Sequence, residues 1–426
     1  MNIEEIYKIY LEYPSVQTDT RKLNNGDIYF ALKGDNFNGN HFVQQAFEKG
    51  ANYCIVDEIE YQLNDKCILV EDVLSCLQAL ATHHRKQFTI PFIAITGSNG
   101  KTTTKELLMA VLSSKYKTYA TEGNLNNHIG VPLTILKIKK DAQMAIIEMG
   151  ANHQKEIAFY CDIALPTHGL INNCGKAHLE GFGGIEGVKK GKGELYQFLK
   201  NNNGIIFRNA DLTYLEEMSI GIEQQITYGE QTASFTGKSY TENSFLQVAI
   251  LTKGLECNIH TQLVGEYNLA NVLGAVAVGS TFDIHINDIK KSIEAYSPSN
   301  SRSQLIKIGT NTIILDAYNA NPTSMVSAIN NFSQLDYPNK IIMIGAMMEL
   351  GDESIEEHQK IIDLLVQSNW KQVVLVGGNF NVVKHSFIYF ENSTLAQKWY
   401  NESAFENTAF LIKGSRAFQM EKIINL

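Results

Sequence analysis

The most regular feature of the chain is a set of short, predominantly apolar runs, each followed by a turn and then by a stretch with helical spacing. FIAIT (92–96), MAIIE (144–148) and HGLIN (168–172) are such runs, with helical patterns between them. A run that is apolar at every position suits a strand covered on both faces, and strand–helix alternation predicts a parallel sheet. Further on, TIILDA, KIIMIGA, QVVLVGG and AFLIKG recur at intervals of roughly 25 to 35 residues, the spacing of successive strand–helix units, which predicts a second, Rossmann-like sheet. Ahead of both lie an extended stretch, DIYFAL (27–32), a polar loop, KGDNFNGN (33–40), and a helical pattern over 42–49, the makings of a small α/β module.

Punctuation between these blocks divides the chain. A helix around 71–86 ends in the basic run HHRK shortly before Pro91, and such a breaker marks a boundary. Residues 222–263 change to short alternating stretches, the pattern of an antiparallel insertion. The helical NLANVLGAVAVGS (268–280) and a second helix are followed by the polar SPSNSRS (297–303), which suits a hinge. The expectation is an α/β chain of three domains. They are a small N-terminal module (1–88), a central parallel sheet of phosphate-loop type with an antiparallel insertion (89–297), and a C-terminal Rossmann-like domain (298–426).

Composition narrows the partners. At 426 residues the chain is too long for one ordinary core, and 44% hydrophobic with 19% charged residues is globular composition. A net charge of -9 argues against nucleic acid or an anionic membrane as partner, since both attract a basic footprint, so any anionic substrate needs a local basic pocket. The six cysteines contain no CxxC pair, and suggest neither a zinc site nor a disulfide framework. The segment MNIEEIYKIYLEY lacks the basic and apolar regions of a signal peptide, and no apolar run approaches the roughly 18 residues of a membrane span. A cytoplasmic protein with no membrane partner is expected, acting as a monomer.

Candidate chemistry centres on ITGSNGKTTTKE (95–106). Gly97 and Gly100 fall in a turn between a strand and a helix, with Ser98 and Asn99 between them and Lys101, Thr102 and Thr103 behind. Glycines let backbone amides approach phosphate oxygens, a helix N-terminus adds positive potential, Lys101 is placed to bridge the outer phosphates, and Thr102 to ligate magnesium. The strict phosphate-loop pattern needs a glycine where this chain has Ile95, so the match is a shortened variant of it. The alternative is an ordinary strand–turn–helix junction. Glu148 ends an apolar strand, where a carboxylate reaches a metal below such a loop, although acids at strand ends are common surface residues. His178 lies in a glycine-rich loop as a metal ligand or a merely solvated side chain, and Lys192 reads by itself as one member of a solvated basic helix face. Asn126 and Asn127 either hydrogen-bond a sugar or phosphate or serve as turn formers, and Asn268 and Asn271, at i and i+3, either read a base edge or cap and pack.

Taken in order, these segments resemble the Mur ligase family over nearly the whole chain. The carriers are TDTRKLNNGDIYFALKGDNFNGNHF (18–42), TGSNGKTTTKE, GNLNNHIGVPLT, EMGANH (148–153), AHLEGFGG (177–184), GKGEL (191–195), GEYNLANVLGA (265–275), DAYNANPTSM (316–325), MELGDES (348–354) and LIKGSRAFQMEKII (411–424). EMGANH, YNANP and KGSRxxxME are similar to the branch of the family that adds D-alanyl-D-alanine. The resemblance implies an N-terminal domain that holds the UDP end of a UDP-MurNAc-tripeptide, with Thr20, Arg21, Lys33 and Asn40 as matching positions. It implies ATP bound through Gly97 to Thr103, with Asn268 and Asn271 on the adenine side and Arg302 and Asp316 in the segment that closes over it. Thr102, Glu148 and His178 match magnesium ligands, Lys192 matches a lysine that the family carbamylates, and Tyr318, Asn319 and Asn321 match the acceptor-side signature. The chain departs from the pattern at Tyr267, Leu315, Ala317, Ala346 and Met347.

The implied reaction is ATP-dependent ligation of D-alanyl-D-alanine to the tripeptide through an acyl phosphate, with Lys101, Glu148, His178 and Lys192 as the catalytic set. Rival readings are another amide ligase of the same family or folylpolyglutamate synthase, a small-molecule kinase, and a nucleotide-binding switch. A kinase or switch has no evident use for three domains with the YNANP and KGSR segments, and the TDTR module favours a UDP-sugar over folate. No motif reports the third residue of the tripeptide.

Overall fold

The computed structural model describes residues 1–299 and 301–425; Asn300, inside the expected hinge, and Leu426 lie outside the described residues. The chain forms three α/β domains, each built on its own sheet. The N-terminal sheet has four parallel strands in the order Val16–Gln17, Ile28–Phe30, Tyr53–Val56, Cys67–Leu69. The stretch expected as a plain polar loop at 33–40 instead contains a tight antiparallel hairpin, Lys33–Gly34 with Phe37–Asn38. Its exposed Phe37 stacks on Phe42 at 5.3 Å, an apolar contact that charge pattern alone conceals.

The central sheet has nine strands. From one edge inward it runs Thr118–Ala120, Met144–Glu148, Phe92–Thr96, His168–Ile171, Ile205–Asn209, Gln224–Gly229, all parallel. The first strand of the domain, Phe92–Thr96, therefore sits inside the sheet, with later strands added on both sides of it. In such open sheets the crevice beyond the C-terminal strand ends, where the order reverses, is the place a ligand binds. All five residues of Phe92–Thr96 and of Met144–Glu148 are buried; the apolar runs account for the first four of each, while Thr96 and Glu148 are polar groups buried at the strand ends. Lys101–Leu112, Leu269–Thr281 and Ile286–Ala295 cover one face, with Leu107, Leu108, Val111, Val272, Val276 and Ile289 packed on Ile93, Ile95 and Ile146. The antiparallel strands Phe235–Glu242, Phe245–Ile250 and Cys257–His260 extend this sheet at one edge, joined to it where Tyr228 and Gly229 pair in parallel with Phe235 and Thr236. The expected insertion is thus continuous with the central sheet.

The basic run at the first boundary does not form a loose linker. The helix Val73–Arg85 is capped by Asp72, whose carboxylate accepts from Ser75 N–H at 2.7 Å, and it ends against the central domain. Arg85 is buried; it donates to the carbonyls of Ala164 and Leu165, each at 2.7 Å, and lies over the Phe92 ring at 3.7 Å. These carbonyls end the helix Glu156–Ala164, so the guanidinium satisfies groups that the helix leaves open and sits at the negative end of its dipole. His84 and Tyr10 add contacts to the carbonyls of Ile138 and Leu136, at 2.8 and 2.5 Å. Sequence position alone could not distinguish this dock from solvated charge.

The C-terminal sheet orders its strands Gln304–Ile308, Asn311–Asp316, Ala409–Lys413, Lys340–Gly345, Gln372–Val376, Ile388–Phe390, parallel except for the first. Leu315, Ala317, Ala346 and Met347, four of the five positions that depart from the family pattern, are buried in this domain. Among the described residues, no helix is long and apolar enough to cross a membrane, and all six cysteines are free thiols.

Candidate active site

The loop after Phe92–Thr96 takes two backbone conformations that favour glycine, φ 145° at Gly97 and φ 82° at Gly100. A Cβ at Gly97 would come within 2.9 Å of Asn172 Cβ, and one at Gly100 within 2.8 Å of Asn271 Oδ1. Small residues thus let the loop lie directly on the asparagines beneath it. Gly100 then opens the helix Lys101–Leu112 without any side-chain cap, leaving its first amides free for an anion. The loop is held from the side as well. Ser98 Oγ donates to Gly175 O at 2.9 Å, Ser98 N–H to Asn173 O at 2.9 Å, and Asn99 N–H to Asn173 Oδ1 at 3.1 Å.

Lys101 is half-buried and curls back so that Nζ donates to Gly97 O at 2.6 Å. Burial holds its ammonium below the ordinary lysine range, Glu148 opposes that effect and Arg302 adds to it. Thr102 Oγ1 donates to Glu148 Oε1 at 3.2 Å, and Asn126 Nδ2 donates to the same oxygen at 2.8 Å. Glu148 is buried, and its second oxygen, Oε2, has no hydrogen-bond partner. A buried carboxylate oxygen with no donor is costly in a protein interior. A hard cation would satisfy it, and a hydroxyl, a carboxylate and water are the ligands that magnesium takes. The residues fit the ion. No three His, Cys, Asp or Glu side chains converge on one point among the described residues.

Lys192, which reads in sequence as part of a solvated face, is 1% exposed. It lies on the inner side of the helix Ile185–Asn201, donates to Ala151 O at 3.0 Å and sits 5.0 Å from the Phe182 ring centroid. Burial, with the nearby Lys101 charge, pushes it down to about 7. His178, also expected as either ligand or solvated side chain, is four-fifths buried; its Nδ1 lies 2.5 Å from Glu349 Oε2 of the C-terminal domain.

Of the other expected residues, some face the cleft and some are spent on structure. Asn268 and Asn271 form a buried network under the phosphate loop. Asn271 Nδ2 donates to Asn268 Oδ1 at 2.8 Å, and Asn271 Oδ1 accepts from Thr104 and Asn172 at 3.1 and 2.9 Å. Their packing role is therefore met in this arrangement. Asn127 Oδ1 accepts from the amides of Ile129 and Gly130 at the start of the helix Gly130–Leu136, a turn former's role. Asn40 is fully buried and donates to Asp57 at 2.8 Å, Lys33 pairs with Asp57 at 3.1 Å, and Thr20 donates to Gln45 at 3.0 Å. Arg21 is exposed and pairs with Asp19 at 2.9 Å; that guanidinium holds the Asp19 carboxyl down at about 2.

The hinge brings Arg302 over the Tyr318 ring at 3.6 Å, with Arg416 5.8 Å from the same ring. Asp316 is held by Lys413 at 2.5 Å and accepts from Ser303 N–H at 3.2 Å. Tyr267, one of the departures, shares a hydrogen bond with Ser303 at 2.8 Å and so ties the central domain to the hinge. Asn319 Oδ1 accepts from Ala320 N–H at 2.9 Å. Asn321 caps the helix Pro322–Gln334 through Ser324 N–H and donates to Asn99 Oδ1 at 2.7 Å, placing the acceptor-side signature directly against the phosphate loop. Sequence reasoning missed Asn172, Asn173, Lys176 and Glu349. Asparagines directly after an apolar strand, facing a glycine turn, are the one signal that pointed to the first two.

Three family models cover the chain: "Mur ligase family, catalytic domain" at 12–85, "Mur ligase middle domain" at 95–279 and "Mur ligase, glutamate ligase domain" at 301–416. The UDP-N-acetylmuramoyl-tripeptide--D-alanyl-D-alanine ligase of Bacillus subtilis (strain 168) is 33% identical over 99% of this chain and 96% of its own length. That of Escherichia coli (strain K12) is 32% identical, over 96% and 92%. The crystal structure of MurF from Acinetobacter baumannii superposes with a TM-score of 0.86 at 30% identity, covering 96% of this chain and 92% of that one. MurF ligase from Thermotoga maritima in complex with ADP gives a TM-score of 0.86 at 25% identity, with 97% of each chain covered. With the phosphate loop, the three sheets and relatives of this identity over the full length, the chain belongs to the Mur ligase family.

Proposed function

We propose that this chain joins D-alanyl-D-alanine to UDP-MurNAc-tripeptide with ATP, giving the UDP-linked pentapeptide, ADP and phosphate in peptidoglycan precursor synthesis. The observation that carries the reading is the glycine turn and Lys101 facing a buried Glu148 with one free oxygen, in a chain similar to such ligases from end to end. A carboxylate does not condense with an amine in water, so the tripeptide's terminal carboxylate first attacks the γ-phosphorus of ATP, and the bond to ADP breaks. The dipeptide amine then attacks the carbonyl carbon of the acyl phosphate, loses a proton, and inorganic phosphate leaves.

Gly97 to Thr103 hold the nucleotide phosphates, and Lys101 stabilises the charge that develops on the transferring phosphoryl. Thr102, Glu148, His178 and a carbamylated Lys192 hold magnesium, which when bound offsets phosphate charge. For Lys192 the support is deep burial and a depressed ammonium: burial and the Lys101 charge outweigh the opposing pull of Glu156 and Glu194, which favours a neutral amine free to add to carbon dioxide. Asn268 and Asn271 stand on the adenine side, while Arg302 and Asp316 close over ATP. Thr20, Arg21, Lys33, Asn40, Asn126 and Asn127 serve the UDP-linked substrate, and Tyr318, Asn319 and Asn321 the incoming dipeptide. Closure of the C-terminal domain excludes water from an intermediate that hydrolyses readily. ATP and the UDP-linked precursor place the work in the cytoplasm.

Measured ADP release should require both UDP-tripeptide and D-alanyl-D-alanine; full turnover without the dipeptide would establish a kinase instead. Arg302→Ala should slow turnover more than it weakens UDP-tripeptide binding, because its guanidinium lies at the hinge over Tyr318 and within electrostatic reach of Lys101. Equal losses in rate and tripeptide affinity would count against a closure role.

A further inference from the structure

The segment 175–180 of the central domain is one of the strips that the C-terminal domain contacts, beside Asn99 and Ser244. Lys176 N–H donates to Thr323 Oγ1 at 3.0 Å, and Lys176 Nζ meets Glu357 Oε1 at 2.6 Å. Two residues on, His178 Nδ1 meets Glu349 Oε2 at 2.5 Å. Both partners stand in the left-handed region, His178 at φ 53° and Glu349 at φ 62°, so each is presented by a turn that costs some backbone strain. Glu349 lies in the loop after the strand Lys340–Gly345 and reaches His178 across the domain boundary.

The Glu349 carboxylate faces His178 Nδ1 at ion-pair distance without the alignment of a hydrogen bond in this arrangement, and a carboxylate on that side favours the tautomer with the proton on Nδ1 and the free lone pair on Nε2. Metal-binding histidines are commonly oriented by such a partner, and loss of the partner costs about 10- to 100-fold in metal affinity. We propose that Glu349 is a positioning residue for His178, supplied by the C-terminal domain on closure, so that the site gains its full affinity for a divalent cation only when the domains are docked. The proposal rests on the reading of His178 as a ligand to that cation. Its consequence is an order of events: before docking His178 has no partner to fix its tautomer, and afterwards it has one.

The test uses the full chain with a non-hydrolysable ATP analogue, and Mn2+ in place of magnesium, so that bound cation is read by electron paramagnetic resonance without turnover. The expected result is that Glu349→Ala weakens Mn2+ binding about tenfold or more. Glu349→Gln should lose less, since its amide oxygen still accepts from Nδ1–H. Glu357→Gln, which breaks the neighbouring interdomain pair without touching His178, should stay within about twofold of the parent chain. Equal weakening by Glu357→Gln and Glu349→Ala would reduce Glu349 to a latch and overturn the positioning role, as would unchanged affinity in Glu349→Ala. His178→Ala separates the two levels. If it leaves Mn2+ affinity unchanged, the ligand assignment fails along with the proposal. If it weakens binding while Glu349→Ala does not, the proposal alone fails.

Discussion

Lys101→Ala is expected to lower turnover at least about a hundredfold, equivalent to about 2.7 kcal/mol of transition-state stabilisation, while the protein stays folded. The side chain has no carboxylate partner in its own loop; it donates to Gly97 O, a contact that an arriving phosphate oxygen can replace. Its charge matters most as negative charge gathers on the transferring phosphoryl, so the loss should fall on kcat more than on KM for ATP. Lys101→Arg should rescue little, because a planar guanidinium does not fit where a compact ammonium reaches between phosphates. Circular dichroism and steady-state ADP release together check the result. Near-normal kcat in the alanine variant would remove the ATP site from this loop.

Lys192→Ala should abolish most activity, by about a hundredfold or more, again without unfolding, and a small added carboxylate such as formate should restore part of it. An ammonium beside magnesium and a triphosphate repels the metal, whereas a carbamate offers hard oxygen donors to it. The side chain is buried and donates to the Ala151 carbonyl, and no carboxylate pairs with it directly among the described residues, so Glu156 and Glu194 oppose the loss of its proton only from a distance. Carbon-13 labelled carbon dioxide should give a carbamate resonance in the parent chain and none in Lys192→Ala. A fully active alanine variant with no such resonance in the parent would refute the assignment.

The sequence by itself determined the parts of this protein that depend on local pattern. Unbroken apolar runs required buried parallel strands at Phe92–Thr96 and Met144–Glu148, and two glycines between a strand and a helix required a turn on which phosphates can rest. Motif order along the chain was enough to reach the family. Tertiary structure decided everything that depends on which surfaces meet. Lys192 and Arg85 belong to basic runs and look solvated in a linear reading, yet the fold buries both: Lys192 turns into its own domain against Ala151 and Phe182, and Arg85 docks on the neighbouring domain at Ala164 and Leu165. The asparagines at 268 and 271 share a helix face in sequence, and only the packed loop reveals that they bond each other, Thr104 and Asn172. The pairing of His178 with Glu349 joins positions far apart in the chain through two loops whose backbones carry no periodic signal. Pattern reports the environment of a residue along its own element. The partner across a domain boundary is chosen by burial, charge and geometry once the domains have docked.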